Sequence, residues 1–146
     1  MPDHELTLAE HASPTQHAGP GLQADLEAEI GRLVDLFYDR TRADPLLGPV
    51  FERHVADWDA HLGTMRDFWT SAVYRTGRYS GRPFEAHRPL SELTPEHFAR
   101  WLELWEGAAR DIVRSPAAAP LLSLARRMAL NISARMNIPV SLPDAG

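Results

Sequence analysis

The segment Arg82-Pro83-Phe84-Glu85-Ala86-His87-Arg88-Pro89-Leu90 holds one histidine between two prolines. Proline fixes φ and removes a backbone donor, so a helix between Pro83 and Pro89 is little more than one turn. An imidazole on so short and stiff a segment suits a ligand whose direction must be fixed. The plainer alternative is a histidine that bonds a neighbouring carbonyl. A second histidine, His61, sits in the middle of an apolar helical face with Trp58, Leu62, Met65, Phe68 and Trp69. Asp57, Asp59 and His61 make a poor metal set, because residues two apart on a helix do not face each other. Tyr38 and Trp101 bring two further polar-tipped rings to apolar stripes. A core filled only for packing rarely collects so many hydrogen-bonding tips, since each needs a partner when buried. A cavity holding a bound group accounts for them together.

The elements that must position these residues read as helices. Residues 1–21 carry His4, His11 and His17 without helical or strand period and read as a mobile leader. From Leu22, the positions Leu26, Ile30, Leu33, Val34 and Phe37 recur at helical spacing up to Asp44-Pro45, with Tyr38 at the edge of the stripe. Pro45 to Phe51 is apolar but broken by two prolines and a glycine, which predicts a single turn or corner. A second long helix is expected over about 57–75, its inner face including His61, Met65 and Ala72, with Asp57 as a candidate cap. Residues 77–83 read as a loop leading to the His87 turn. Thr94-Pro95-Glu96 reads as N-cap, N1 and N2 of a helix ending near Arg114, with Phe98, Trp101, Leu102 and Trp105 inward. A last helix covers about 119–136, and 138–146 is a Pro-containing tail. No strand candidate survives, so the predicted class is all-α.

The totals bound the function. A chain of 146 residues fits one domain with a real core. The absence of cysteine excludes disulfides, thiolate metal sites and iron–sulfur clusters. A net charge of -5 argues against nucleic acid as a partner. All fifteen basic residues are arginine, from which no function follows. No apolar run is long enough to span a membrane and no signal peptide is visible, so no membrane partner and a cytoplasmic location are expected.

The order and spacing of several short pieces resemble the truncated haemoglobins, and among them the third group, over about 22–136. The pieces are Leu36-Phe37-Tyr38-Asp39, Leu47-Gly48-Pro49-Val50-Phe51, Trp58-Asp59-Ala60-His61, Phe68-Trp69, Tyr79-Ser80-Gly81-Arg82-Pro83, His87 and Phe98-Ala99-Arg100-Trp101-Leu102. The glycine pairs that mark the other truncated groups are absent. The resemblance implies a truncated globin fold over residues 22–137, a two-over-two helical sandwich around haem b (iron protoporphyrin IX). It makes His87 the proximal iron ligand, and Tyr38, His61 and Trp101 the distal residues. Phe51 and Met65 would pack on the porphyrin. Tyr79 and Arg82 are candidates for the haem carboxylates, with Arg75, Arg78 and Arg88 as further cations near the histidine turn.

The implied function is reversible binding of O2, CO or NO at a five-coordinate iron, with high O2 affinity from distal hydrogen bonds. Two other functions fit the same residues. One is a redox enzyme, an NO dioxygenase or a peroxidase, drawing electrons from a separate reductase. The other is a helical interaction module without haem, against which the combination of His87, Tyr38 and Trp101 argues. A monomer is the default expectation.

Overall fold

The computed structural model describes residues 20–75, 87 and 90–140. Among them are five helices and no strand. Helix α1, Pro20–Ala43, starts two residues before Leu22, which is itself exposed. Its buried stripe is Ile30, Leu33, Val34, Phe37 and Tyr38, the 3.6-residue spacing of a helix covered on one face. Arg40 and Arg42 in the last turn complement the helix dipole. Asp44 stops it. The Asp44 carboxylate accepts from the backbone N–H groups of Leu46 and Leu47 at 3.1 and 3.0 Å, and Pro45 cannot continue the helix.

Helix α2, Gly48–His54, follows at once and is longer than the single turn expected from the sequence. The junction leaves no room for a side chain at Gly48, where a Cβ would lie 2.7 Å from the Arg42 carbonyl oxygen. Helix α3, Trp58–Tyr74, is capped by Asp57, whose carboxylate accepts from the Ala60 N–H at 3.1 Å. It ends at Arg75 in the left-handed conformation, φ 56°. Ala72, expected on its inner face, is exposed. The neighbouring Val73 and Tyr74 make the core contact in that last turn.

Helix α4, Pro95–Ile112, begins with Thr94 as N-cap and Pro95 at N1. Helix α5, Ala118–Arg135, closes in a Schellman motif. Ile138 N–H bonds the Ser133 carbonyl at 2.8 Å, Asn137 N–H bonds Ala134 at 3.0 Å, and Asn137 takes φ 61°. The chain then lays Ile138 and Val140 against Phe98, Ala129 and Ile132.

Helices α1 and α3 pack together, α4 and α5 pack together, and α1 lies on α4. This is a sandwich of two helix pairs. An aromatic column joins the layers. Trp69 of α3 stacks on Trp105 of α4 at 4.1 Å between ring centroids, and Trp101 lies parallel to Trp105 at 6.0 Å. Phe37 of α1 meets both α4 tryptophans edge-on, at 5.7 and 5.1 Å. Such pairs add about 0.5–1.5 kcal/mol beyond area burial, so the column fixes the register of α1, α3 and α4. At the far end, buried Glu29 accepts from Ser115 Oγ at 2.6 Å and from the Arg114 N–H at 2.9 Å, tying α1 to the α4–α5 turn.

Candidate functional site

A cavity of about 320 Å³ opens among all five helices and the segment before α4. Its size falls in the range of small-molecule and cofactor sites, ~300–1,000 Å³. Its lining is mostly apolar. Helices α1 to α3 contribute Tyr38, Val50, Phe51, His61, Met65, Phe68 and Trp69. His87, Leu90, Leu93, Phe98 and Trp101 come from the chain around and within α4, and Met128, Ala129 and Ile132 from α5. Six of the eight site residues named from sequence therefore meet at one place: Tyr38, Phe51, His61, Met65, His87 and Trp101. Tyr79 and Arg82 lie outside the described residues, as do Arg78 and Arg88. Arg75 is described, exposed, and absent from the cavity lining.

Tyr38 is held by its rings. It meets Phe37, His61, Phe51 and Trp58 edge-on, with centroids 4.8, 5.1, 5.6 and 5.9 Å away. It is only 5% exposed, and burial pushes its hydroxyl far above the usual phenol range. The group therefore stays protonated and can donate. His61 Nε2 is buried without a hydrogen-bond partner among the described residues. Burial, and after it the charge of His87, lowers the His61 pKa, so the ring is neutral at pH 7. His61 and His87 both line the cavity. Trp101 borders the cavity from α4, its plane set by the stack on Trp105.

The loop that carries the α1 end of the cavity is anchored through charge. The Arg100 Nε sits 2.7 Å from Asp44 Oδ1, and the same guanidinium bonds Glu103. Burial by itself would raise the Asp44 pKa. The Leu47 N–H, Arg100 and the Leu46 N–H outweigh it and hold the carboxyl below its usual range. Arg100 precedes Trp101 in the chain, so this bridge joins the α1–α2 corner to the turn of α4 that presents the tryptophan. Arg42 adds a cation over the Trp58 ring, 4.2 Å from its centroid.

Two cavity residues escaped sequence reasoning. His54 ends α2 and places Nε2 2.8 Å from Glu92 Oε1. No sequence signal singles it out. His97 stands at N3 of α4, where its Nδ1 accepts from the Thr94 backbone N–H at 3.0 Å. Its signal was present, a histidine where a capping box normally has Glu or Gln.

No family model matches the chain. The group 3 truncated hemoglobin of Campylobacter jejuni is 31% identical over 84 residues, 55% of this chain. The match spans 66% of that relative, just under two thirds of its length. The crystal structure of group III truncated hemoglobin from Campylobacter jejuni superposes with a TM-score of 0.70 at 26% identity. That superposition covers 75% of this chain and 90% of the other.

Proposed function

We propose that this chain, which has the sequence pattern and the fold of a group III truncated haemoglobin, holds haem b in its cavity and binds diatomic gases there. The observation that carries the reading is the polar set inside an otherwise apolar cavity: a buried Tyr38, an unpartnered His61 Nε2, and His87 facing the same space. Packing supplies no reason for these residue types. A flat apolar cofactor with a metal centre does.

His87 would ligate the iron, and Phe51, Met65 and Phe68 would pack on the macrocycle. Ferrous haem would supply reversible binding of O2, CO or NO. Tyr38 and Trp101 would donate to negative charge on a ligand in the cavity, the first held as a donor by burial and the second unable to accept. His61, neutral at pH 7, offers either a donor or an acceptor nitrogen. Hydrogen bonds to charged partners are worth about 1.5–3 kcal/mol each. Two of them slow O2 escape on the order of a hundredfold or more. Carbon monoxide draws less charge and gains less. The outcome is high O2 affinity with slow release, which suits a sensor, a scavenger or a redox catalyst better than a carrier. Turnover as a catalyst would draw electrons from a separate reductase.

The test is the absorption spectrum of the chain after haem is added, oxidised, reduced, and reduced under CO. A Soret band that sharpens and shifts with CO supports a haem with an open ligand position. Absence of a Soret band at stoichiometric haem would overturn the proposal.

A further inference from the structure

Among the described residues four imidazoles line the cavity: His54, His61, His87 and His97. On the haem reading, from which this inference proceeds, His61 and His87 serve the iron and its ligand. His54 is engaged with Glu92 at 2.8 Å. His97 is the one whose role is open.

Its ring is fixed by the start of α4. Nδ1 accepts from the Thr94 N–H at 3.0 Å and lies 2.8 Å from Thr94 Oγ1. An imidazole that accepts at Nδ1 carries its proton on Nε2. Nε2–H is therefore a donor, and no described residue takes it. The choice of residue is informative too. Glutamate at this position would make the same backward bond to the N-cap and would also favour the helix dipole. Histidine keeps the bond but replaces a negative charge at the cavity with a hydrogen-bond donor. That exchange is useful where an anionic group must approach. No arginine is among the described residues lining the cavity.

We propose that His97 donates through Nε2 to a carboxylate of the haem, so that a propionate lies beside the first turn of α4. His97 is a cofactor-binding residue here, and Thr94 positions it.

The experiment measures the rate of haem loss to an excess of a haem-scavenging apoprotein, using haem and its dimethyl ester in wild type, His97→Gln, His97→Glu and His97→Phe. Glutamine can accept from Thr94 with its carbonyl and still donate with its amide, so His97→Gln should release haem nearly as slowly as wild type. His97→Phe should release it roughly tenfold faster, the loss of one charge-assisted bond. His97→Glu restores the cap yet should be the fastest, because two carboxylates then meet. With the dimethyl ester these differences should collapse. Glutamate retaining haem as well as histidine, or the same spread of rates with the ester, would show that His97 only caps the helix and would overturn the assignment while leaving the haem reading intact. Failure of wild type to take up haem would remove both.

Discussion

The two ends of the molecule treat buried polar groups in opposite ways. Around Glu29 the buried carboxylate is matched. Glu29, 7% exposed, accepts through its carboxylate from the Arg114 N–H, the Ser115 N–H and Ser115 Oγ. At the cavity His61 Nε2 is buried with no partner among the described residues, and Tyr38 is buried among rings. An unmatched buried polar group costs about 1–3 kcal/mol, so the cavity end gives up stability that the Glu29 end retains. Lack of a partner is not sufficient by itself, since among the described residues Thr41 Oγ1, Trp58 Nε1 and Trp105 Nε1 are also unmatched and do not line this cavity. His61 Nε2 is the unmatched group that also borders the cavity, and that combination of polarity and space is what a bound group would use.

The largest test of that contrast is His87→Ala, which should leave a folded helical chain by circular dichroism but abolish tight haem uptake, read as loss of a stable Soret band. A mutant that held haem as firmly as wild type would move the iron ligand elsewhere. Next in size is Glu29→Ala. It leaves two part-buried backbone N–H groups and the Ser115 hydroxyl without their carboxylate acceptor, and unfolding in urea should show a loss of about 1–3 kcal/mol. Its ligand escape rates should match wild type. Ligand kinetics that changed as much as stability would mean the two ends are coupled, and the contrast would fail.

Sequence carried most of the cavity because its signals are local. His87 lies between prolines, His61 interrupts an apolar stripe, and Tyr38 and Trp101 occupy helical stripes; each is legible from spacing alone. Asp57 and Thr94 were legible as caps for the same reason. The matched end was not. Glu29 is an acid in a helix rich in acids, and what buries it is a turn 85 positions away. The partnership of Asp44 with Arg100 crosses 56 positions, and His54 meets Glu92 across 38. Local pattern shows which face of a helix turns inward, but it cannot show which distant backbone amide a carboxylate will meet there.

The bridge at Asp44 gives an intermediate effect with a defined pH dependence. Its folded carboxyl titrates below the ordinary value of about 3.9. The bridge therefore adds stability that is fully present above that ordinary value and is lost as pH falls through the folded one. Asp44→Asn should cost about 1–3 kcal/mol near neutral pH. Its deficit against wild type, followed by urea unfolding, should stay level down to about pH 5 and narrow below about pH 4. A gap that widened in acid would reverse the assigned sign. Comparable in free energy but opposite in kind are Tyr38→Phe and Trp101→Phe. Each should speed O2 escape roughly tenfold in flash photolysis or stopped flow, because each removes one donor to a charged ligand. Neither should lower stability as Glu29→Ala does. Unchanged escape in both would remove the hydrogen-bonding role of the distal residues.

The smallest expected effect is the most discriminating for the contrast itself. His61→Leu replaces a neutral imidazole, whose Nε2 has no partner, with an apolar side chain. Exchanging an unmatched polar group for an apolar one of similar shape is near neutral or stabilising, so the ligand-free chain should unfold within about 1 kcal/mol of wild type and on the more stable side. The same exchange at a matched group would be costly, as at Glu29. A loss above about 2 kcal/mol would mean that His61 Nε2 is bonded in the folded chain. The ring would then belong to the scaffold, and the cavity would keep only Tyr38 and Trp101 to meet a ligand. A gain in stability, together with a change in O2 escape smaller than that of Tyr38→Phe, would place His61 as a group held at some cost to the fold for a cavity it does not need to fill.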